Sequence, residues 1–285
     1  MSAASYRVLL TGAGGGIGAA IAATLAPLSE SMLLVGRDAE RLARVEQTIA
    51  RPGLTCRCLI ADLTSVAGRD CIARAATELP HGVNLLINNA GTNEFAWFVD
   101  QSDEAITRIL GVNALAPMLL TRRLLPLLQL QPAAIIINVG SIYGYLGYPG
   151  CTSYSASKFA LRGFTEALRR ELVDGPVRVV YFAPRATRTA LNSEALIVLN
   201  EELGTAMDSP AKVANELVRL LQKPARERLL GMPEKLFARL NQIVPALVDG
   251  ALRRKLAVIR NYASGRVAPP PRPTTSFHVS EGGSL

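Results

Sequence analysis

Short, largely apolar runs alternate with helical segments along most of this chain of 285 residues. The runs lie at residues 6–12, 31–36, 54–63, 83–91, 132–140 and 177–184. A strand that is apolar along its whole length is buried on both faces, which is typical of a parallel sheet covered by helices on each side. The alternation therefore predicts an α/β fold, a doubly wound parallel sheet in a single domain.

A glycine-rich loop, TGAGGGIG, joins the first predicted strand to the first predicted helix. Backbone amides of such a loop, with a helix N-terminus behind them, bind a pyrophosphate, and glycine lets the phosphate approach the backbone. Two glycine spacings fit. Gly14, Gly16 and Ala19 match the general dinucleotide fingerprint, whereas Gly12, Gly16 and Gly18 match a T-G-x-x-x-G-x-G spacing.

Tyr154 and Lys158 are four residues apart at the start of a predicted helix, so they share one of its faces. An ammonium beside a phenol favours the phenolate and lowers a phenol pKa that is ordinarily about 10. A phenol tuned in this way gives or takes a proton at a carbonyl or alcohol oxygen. Ser141 lies thirteen residues before Tyr154, after an apolar run, where its hydroxyl would hold the same oxygen.

These motifs resemble the short-chain dehydrogenase/reductase family, and the resemblance covers about residues 5–232. It implies catalytic roles for Ser141, Tyr154 and Lys158, and for Asn113, which would place a water that relays protons to the lysine. It also implies that the following residues bind the cofactor: Gly12, Gly14, Gly15, Gly16, Ile17, Gly18, Asp62, Leu63, Asn89, Ala90, Gly91, Tyr154, Lys158, Pro184, Thr187 and Thr189.

The end of the second predicted strand bears on the choice between NAD and NADP. Members that use NAD usually carry an acidic residue there, which binds the ribose 2′-hydroxyl. Here the position is Gly36, and Arg37 follows with a guanidinium that suits a 2′-phosphate. Asp38 is the competing carboxylate, with helix N-capping as its alternative role. We therefore predict NADP(H) in preference to NAD(H), with Arg37 among the cofactor-binding residues.

The segment after the sixth predicted strand departs from the family pattern Pro-Gly-x-(Val/Ile)-x-Thr. This chain has PRATRT, in which Pro184 and Thr189 match, Thr187 replaces the aliphatic residue and Arg185 replaces the glycine. We expect Arg185 near the substrate entrance, paired with an anionic or strongly polar substrate group. Residues 188–209 correspond to the family's substrate lid, although their apolar side chains also suit ordinary core packing.

A basic, amphipathic extension follows the expected seventh strand and occupies residues 233–265. A helix of this kind lies on a membrane or meets an acidic partner, whereas packing on its own domain or on a second subunit is the alternative. We expect peripheral membrane contact through residues 233–262. Residues 266–285, rich in proline and then in serine and glycine, are predicted to be a disordered tail.

Composition excludes some function classes. The net charge is +8, but residues 250–285 hold six basic side chains and one acidic side chain, so the rest of the chain is near neutral. This distribution is not that of a nucleic-acid-binding protein. The four cysteines form no Cys-x-x-Cys pair and there are only two histidines, so we expect no metal site. Unpaired thiols suit a reduced, cytoplasmic protein.

We interpret residues 1–232 as a Rossmann-type NADP-binding and catalytic domain. Its predicted reaction is the NADPH-dependent reduction of a small-molecule carbonyl, a ketone or aldehyde of hydrophobic character, to an alcohol, or the reverse. The enzyme alternative is a 3-oxoacyl-(carrier protein) reductase, because the basic extension suits an acidic carrier. The non-enzyme alternative is a dinucleotide sensor or membrane-surface protein on the same scaffold. The resemblance also implies a homodimer or homotetramer.

Overall fold

A computed structural model describes residues 5–223 and 225–265, so the predicted tail at 266–285 lies outside the described residues. Seven parallel strands form one sheet in the order β3-β2-β1-β4-β5-β6-β7. The strands are β1 (Tyr6–Thr11), β2 (Ser29–Gly36), β3 (Thr55–Ile60), β4 (Leu85–Asn88), β5 (Ala134–Val139), β6 (Val177–Ala183) and β7 (Glu227–Leu229). This sheet confirms the predicted doubly wound fold.

The α-helices of the described residues lie between the strands and after the last of them. They are α1 (Gly16–Leu25), α2 (Ala39–Ile49), α3 (Val66–Thr77), α4 (Asp103–Leu110), α5 (Ala116–Gln129), α6 (Thr152–Glu171), α7 (Glu194–Glu202), α8 (Pro210–Gln222), α9 (Met232–Ile243) and α10 (Pro245–Ala263). Several begin at a side chain that accepts a hydrogen bond from the amide three residues further on, which satisfies a donor of the first turn. These capping residues are Asp38, Ser65, Ser102, Ser193 and Ser209.

Both faces of the sheet are covered, which explains the continuous apolar runs. Val8 and Leu10 of β1 belong to the core shared with α1, α2 and α8. Leu9, between them, belongs to the core shared with α3, α5 and α6. Successive strand residues point to opposite faces, so a central strand needs an apolar residue at every position.

Two helical regions differ in detail from the sequence prediction. The predicted helix at 102–130 is continuous but contains a wider π turn at Gly111–Leu115 between α4 and α5. The basic extension forms two helices, α9 and α10, which part at Val244 because Pro245 starts the second. Among the helices of the described residues, none combines the length and the apolar character needed to cross a bilayer.

The order of the strands places a cleft at the carboxyl ends of the central strands β1 and β4. From β1 the chain builds outward through β2 and β3, and it then returns to add β4 on the other side of β1. The loops that follow β1 and β4 therefore diverge at the carboxyl ends of these strands, where open α/β sheets bind their ligands.

Candidate active site

A cleft of about 650 Å³ opens at the carboxyl ends of the strands. With the exception of Asn113, every residue proposed from the sequence for catalysis or cofactor binding lines this cleft. Its volume lies within the range of small-molecule and cofactor sites, roughly 300–1,000 Å³. The fold thus gathers residues that are up to 177 positions apart in the sequence, Gly12 and Thr189 among them, around one space.

The glycine loop after β1 is held tightly against the end of β4. Gly12 has a φ of +66°, and a Cβ there would lie 2.8 Å from the Ala90 Cα. The Asn89 side-chain amide donates to the carbonyl oxygens of Thr11 at 3.0 Å and Gly12 at 3.2 Å. A Cβ on Gly18 would collide with the Gly12 carbonyl oxygen. Glycine is therefore required at both positions, and Asn89 fixes the shape of the loop.

The start of α1 suits a phosphate group. Gly15 is its N-cap and offers no side-chain acceptor to the first-turn amides. A Cβ on Gly16 would lie 2.9 Å from the Thr189 side chain, so glycine keeps a narrow passage open between α1 and the segment after β6. Unsatisfied amides at a helix N-terminus bind anions. The residues present therefore fit the pyrophosphate of a dinucleotide.

The end of β2 separates the two candidate ribose-binding residues. The Asp38 carboxylate accepts from the Arg41 amide at 3.0 Å, and it pairs with the Arg41 guanidinium at 3.1 Å, so capping occupies it. Arg37 lines the cleft, and within residues 5–223 and 225–265 it has no ion-pair partner. Asp62, after β3, accepts from the Thr64 amide at 2.9 Å, and this bond is the main cause that lowers its pKa.

Tyr154 lies in the first turn of α6 and is only 7% exposed. Its ring meets the ring of Tyr143 edge to face, with centroids 6.2 Å apart. Burial raises the pKa of Tyr154 above its usual value, and the neighbouring Ser141 hydroxyl opposes this effect. Ser141 caps the short helical turn after β5, where its Oγ accepts from the Tyr143 amide at 3.1 Å. The serine, the phenol and an aromatic wall thus meet in one place.

Lys158 lies one helical turn after Tyr154 and is 4% exposed. Its Nζ donates to the Val139 carbonyl oxygen at 3.0 Å and is 5.6 Å from the centroid of the Tyr154 ring. Burial lowers the pKa of Lys158 to about 8. The expected lowering of the Tyr154 pKa by Lys158 is therefore wrong for the chain by itself, because burial dominates and Lys158 is not among the groups that shift the Tyr154 pKa.

Asn113 lies behind the cleft wall, in the π turn between α4 and α5. Its Oδ1 accepts from the Thr92 amide at 2.8 Å, and its Nδ2 donates to the Thr92 carbonyl oxygen at 2.8 Å and to the Ser157 Oγ at 3.0 Å. A Cβ on Gly91 would lie 3.4 Å from the Asn113 Oδ1 and 3.8 Å from the Lys158 Nζ. Asn113 is thus fixed near Lys158, and its proposed relay role stays a prediction.

Arg185 forms ion pairs with two carboxylates of the protein itself. Its guanidinium pairs with Asp208 at 2.8 Å and with Glu234 at 3.4 Å, and the Lys212 ammonium also pairs with Asp208, at 2.8 Å. The expected pairing of Arg185 with an anionic substrate group is therefore not supported, because two carboxylates already balance its charge. Thr187 continues this arrangement through a β-bridge to Asp208.

Other residues that line the cleft were not proposed from the sequence. Asn93 has a buried Oδ1 that finds no hydrogen-bond donor within the described part of the chain. Tyr143, Leu196, Asn200 and Glu234 add an aromatic, an aliphatic and two polar groups. Tyr143 stands two positions after Ser141, and Asn93 two positions after the NNAG motif, so proximity to motifs could have indicated these two residues. Leu196 and Asn200 lie within the predicted lid at 188–209.

Fold and site together define an oxidoreductase that acts on CH–OH and C=O groups with a nicotinamide dinucleotide. The short chain dehydrogenase family matches residues 6–197, and the chain belongs to this family. Ketoacyl reductase HetN of Nostoc sp. is 29% identical over 253 residues, covering 86% of this chain and 88% of that protein. Dehydrogenase/reductase SDR family member 7B of Bos taurus is 28% identical over 253 residues, covering 84% and 78%.

Solved structures extend the similarity. A short chain dehydrogenase/reductase from Burkholderia phymatum in complex with NAD has a TM-score of 0.77 at 26% identity, covering 87% of this chain and 96% of that one. A short-chain dehydrogenase from Sphingobium yanoikuyae in complex with NADPH has a TM-score of 0.71 at 25% identity, covering 89% and 95%. Both dinucleotides occur among these relatives, so the preference of this chain depends on its own residues.

Proposed function

We propose that this protein is an NADPH-dependent reductase of ketones or aldehydes of apolar character. The observation that carries the proposal is the environment of Tyr154. Its phenol lies in the cleft beside the Ser141 hydroxyl and one helical turn before Lys158, where it can give a proton to a carbonyl oxygen. The apolar side chains of Ile142, Leu191 and Leu196 line the cleft together with the Tyr143 ring, which favours an apolar substrate.

The proposed chemistry assigns one task to each polar group. The Ser141 hydroxyl donates a hydrogen bond to the carbonyl oxygen of the substrate, and the Tyr154 phenol transfers a proton to that oxygen as it gains negative charge. The Lys158 ammonium stabilises the phenolate that remains. Asn113, held by Thr92 and Ser157, is the residue proposed to order the water through which Lys158 and Tyr154 recover a proton.

The cofactor would be held from the glycine loop to the segment after β6. The start of α1 would receive the pyrophosphate, Arg37 the 2′-phosphate, and Asp62 with Leu63 the adenine. When bound, the reduced nicotinamide supplies a hydride to the carbonyl carbon. Thr187 and Thr189 line the same cleft and are proposed to bind the nicotinamide half.

Arg37→Ala tests the cofactor assignment. We expect the affinity for NADPH to fall about tenfold or more and the affinity for NADH to stay unchanged, because only NADPH carries the phosphate that a guanidinium binds. Fluorescence titration of each cofactor measures both effects. Arg44→Ala is the matched control, since Arg44 is exposed on α2 and pairs with Glu40. NADH binding as tight as NADPH binding, unaffected by Arg37→Ala, would contradict the proposal.

A turnover screen tests the substrate class. Apolar ketones and aldehydes are compared with polar carbonyl compounds of similar size, and NADPH oxidation is followed for each. We expect higher kcat/KM for the apolar compounds, because their burial against Tyr143 and Leu196 removes apolar surface from water. Equal rates across the panel, or turnover of polar compounds alone, would overturn the assignment to apolar substrates.

A 3-oxoacyl thioester on a carrier protein is the second candidate substrate. Two observations favour it. The chain is 29% identical to a protein named ketoacyl reductase, and α9 and α10 carry an excess of basic side chains. Carrier-bound and free thioesters of the same acyl chain distinguish the two candidates. A much higher kcat/KM for the carrier-bound form, abolished by salt, would favour this function over the reduction of free carbonyl compounds.

We also propose a cytoplasmic protein that associates reversibly with membranes through α9 and the start of α10. An exposed surface there, which we call the C-terminal apolar face, supports this proposal. It consists of Met232, Leu236, Phe237, Ile243, Val244 and Leu247. It begins beside Gly231, where a Cβ would lie 3.0 Å from the Arg185 side chain at the cleft edge. A membrane-dissolved substrate would therefore be close to the cleft.

A further inference from the structure

Three potential metal ligands come together away from the active-site cleft. Cys56 and Cys58 lie on β3, and Glu46 lies on α2. The two sulfurs and a carboxylate oxygen of Glu46 all lie within 4.8 Å of one another, and none of these residues lines the cleft. Residues i and i+2 of a strand share a face, so a Cys-x-Cys pair on β3 presents both thiols to α2. The prediction of no metal site considered only Cys-x-x-Cys pairs, and this pair has the spacing Cys-x-Cys.

The scaffold around the three ligands is rigid. Cys56 and Cys58 are in register with Met32 and Leu34 of β2, so the backbone of β3 is fixed by the sheet. The Cys58 thiol donates to the Leu42 carbonyl oxygen at 3.6 Å, which brings the strand directly under α2. All three ligands are half-buried, and β3 is the edge strand of the sheet. An ion can therefore enter from solvent and still be shielded once bound.

The Glu46 carboxylate leaves a negative charge at the cluster that no basic side chain of the described residues balances by an ion pair. A bound cation would therefore balance the Glu46 carboxylate, which lies beside the two sulfurs.

We propose that Cys56, Cys58 and Glu46 bind one Zn²⁺ ion. Thiolate sulfur is the donor that thiophilic ions select, and a carboxylate oxygen is an accepted third ligand of zinc. Zinc–sulfur and zinc–oxygen bonds of about 2.3 and 2.1 Å put tetrahedral ligand atoms roughly 3.5 Å apart, so small rotamer changes complete the site. A water would occupy the fourth position.

Such an ion would fasten α2 to the edge of the sheet. The N-terminus of α2 carries Asp38 and Arg41, which line the cofactor cleft, while Glu46 lies about two turns further along the same helix. The proposed site is therefore structural. It stabilises the helix that borders the ribose-binding end of the cleft, and it takes no part in the reaction.

Cobalt substitution in the reduced full-length protein tests the site. We expect one Co²⁺ per chain, with a thiolate-to-cobalt charge-transfer band and the strong visible absorption of tetrahedral cobalt, both lost when Zn²⁺ is added. Cys56→Ser and Cys58→Ser should each abolish the charge-transfer band, and Glu46→Gln should weaken Zn²⁺ binding about tenfold or more. Cys71→Ser is the matched control, since Cys71 is a half-buried free thiol on α3.

A second measurement needs no variant. In the wild-type protein, Zn²⁺ should slow the alkylation of Cys56 and Cys58, mapped by peptide mass spectrometry, and leave the rate at Cys71 unchanged. It should also raise the unfolding temperature of the wild type and of Cys71→Ser. The proposed site would be wrong if the charge-transfer band were absent, or if it persisted in Cys56→Ser or Cys58→Ser. It would also be wrong if Zn²⁺ protected Cys71 from alkylation as strongly as Cys56 and Cys58. Unchanged Zn²⁺ affinity in Glu46→Gln would overturn the carboxylate ligand.

Discussion

Burial shifts the pKa values of Tyr154 and Lys158 in opposite directions, and this sets the protonation states of the pair. The Tyr154 phenol keeps its proton well above neutral pH, whereas the Lys158 ammonium, with a pKa of about 8, has lost half of its protons at that pH. A protonated phenol beside Ser141 is prepared to donate to a carbonyl oxygen. The reverse reaction needs the phenolate, so it should be favoured only as the pH rises.

Tyr154→Phe should lower kcat by about a hundredfold or more, because it removes the proposed proton donor and keeps the ring. The affinity for NADPH should stay nearly unchanged. Steady-state rates and cofactor titrations measure the two effects separately. Tyr148→Phe is the control, since Tyr148 stacks on Tyr143 with centroids 4.9 Å apart and does not line the cleft. A Tyr154→Phe enzyme that keeps most of its kcat would place the proton transfer elsewhere.

Lys158→Met should stabilise the protein without dinucleotide by about 1–3 kcal/mol near neutral pH, because it removes a buried ammonium. The pKa of Lys158 is about 8 in the fold and 10.5 ordinarily, so the unfolded chain binds more protons between these values and native stability rises with pH there. The gain should therefore be full below pH 8 and shrink as the pH approaches 10.5.

Thermal unfolding of the wild type and of Lys158→Met, near neutral pH and at about pH 9.5, checks this sign. Lys255→Met is the control, since Lys255 is exposed on α10 and its removal should change stability little at either pH. The same Lys158→Met protein should show almost no turnover. A destabilised variant, or a gain that grows with pH, would contradict the buried-ammonium explanation.

At the scale of residues, the sequence predicted which side chains line the cleft, but it did not predict their pKa values or their ion pairs. Ser141, Tyr154 and Lys158 were proposed from their spacing and from the family resemblance, and Tyr154 and Lys158 share a helix face because they are i and i+4. The pKa values of Tyr154 and Lys158 depend on burial by the folded chain, which spacing does not reveal. Arg185 was misjudged for the same reason, since Asp208 follows it by 23 positions.

At the scale of elements, the segment after β6 is tied down at both ends of the loop that carries α7. The Asp208 amide donates to the Ala186 carbonyl oxygen at 2.8 Å, and the Arg188 amide donates to the Asp208 carbonyl oxygen at 3.1 Å. Arg185 adds side-chain bonds to Asp208 and to Glu234 of α9. The two ends of the predicted lid are thus hydrogen-bonded to each other, and an ion pair connects them to α9.

Arg185→Ala should lower the free energy of unfolding by about 1–3 kcal/mol, because it leaves the buried carboxylate of Asp208 with Lys212 as its remaining partner. The ranking of substrates by kcat/KM should stay the same. Arg188→Ala is the matched control. Its ion pair with Glu201 is exposed, so the loss should be within about 0.5 kcal/mol. A stable Arg185→Ala enzyme with an altered substrate ranking would restore the role in substrate pairing.

Element positions were predictable where local signals decide them. Strand runs, the glycine loop and capping residues such as Asp38 and Ser209 act within a few residues. The π turn at Gly111–Leu115 was not predictable, because Asn113 is held there by Thr92 and Ser157 from other parts of the chain. Contacts between distant segments also decide how α10 packs.

At the scale of the whole molecule, α10 packs on its own domain, whereas several large apolar side chains of α9 and of the start of α10 are exposed. Val248, Ile259 and Tyr262 of α10 are buried, and the Tyr262 hydroxyl donates to Glu202 of α7 at 2.6 Å. Ile259 and Tyr262 share a cluster with Tyr154, so α10 packs against the apolar core around that residue. The C-terminal apolar face points away from this core and remains exposed.

That face predicts reversible binding to anionic membranes. Contiguous exposed apolar surface is uncommon on monomers, and Met232 and Ile243 are 76% and 77% exposed. Lys235 and Arg239 lie on the same helix, and each basic residue near an anionic surface contributes about 1 kcal/mol. We expect the protein to co-sediment with phosphatidylserine vesicles at low salt, less at moderate salt, and not with phosphatidylcholine vesicles.

The matched variants are double substitutions of exposed residues. Leu236→Ser with Ile243→Ser should abolish co-sedimentation, whereas Val99→Ser with Leu130→Ser should not, because that second pair is more exposed but lies outside the C-terminal apolar face. Truncation after Gly231 is unsuitable, since it removes Ile259 and Tyr262 from the cluster around Tyr154. The predicted homodimer or homotetramer supplies the competing outcome. If vesicles bind none of these proteins and only the first double variant sediments as a monomer, the face is a contact between subunits.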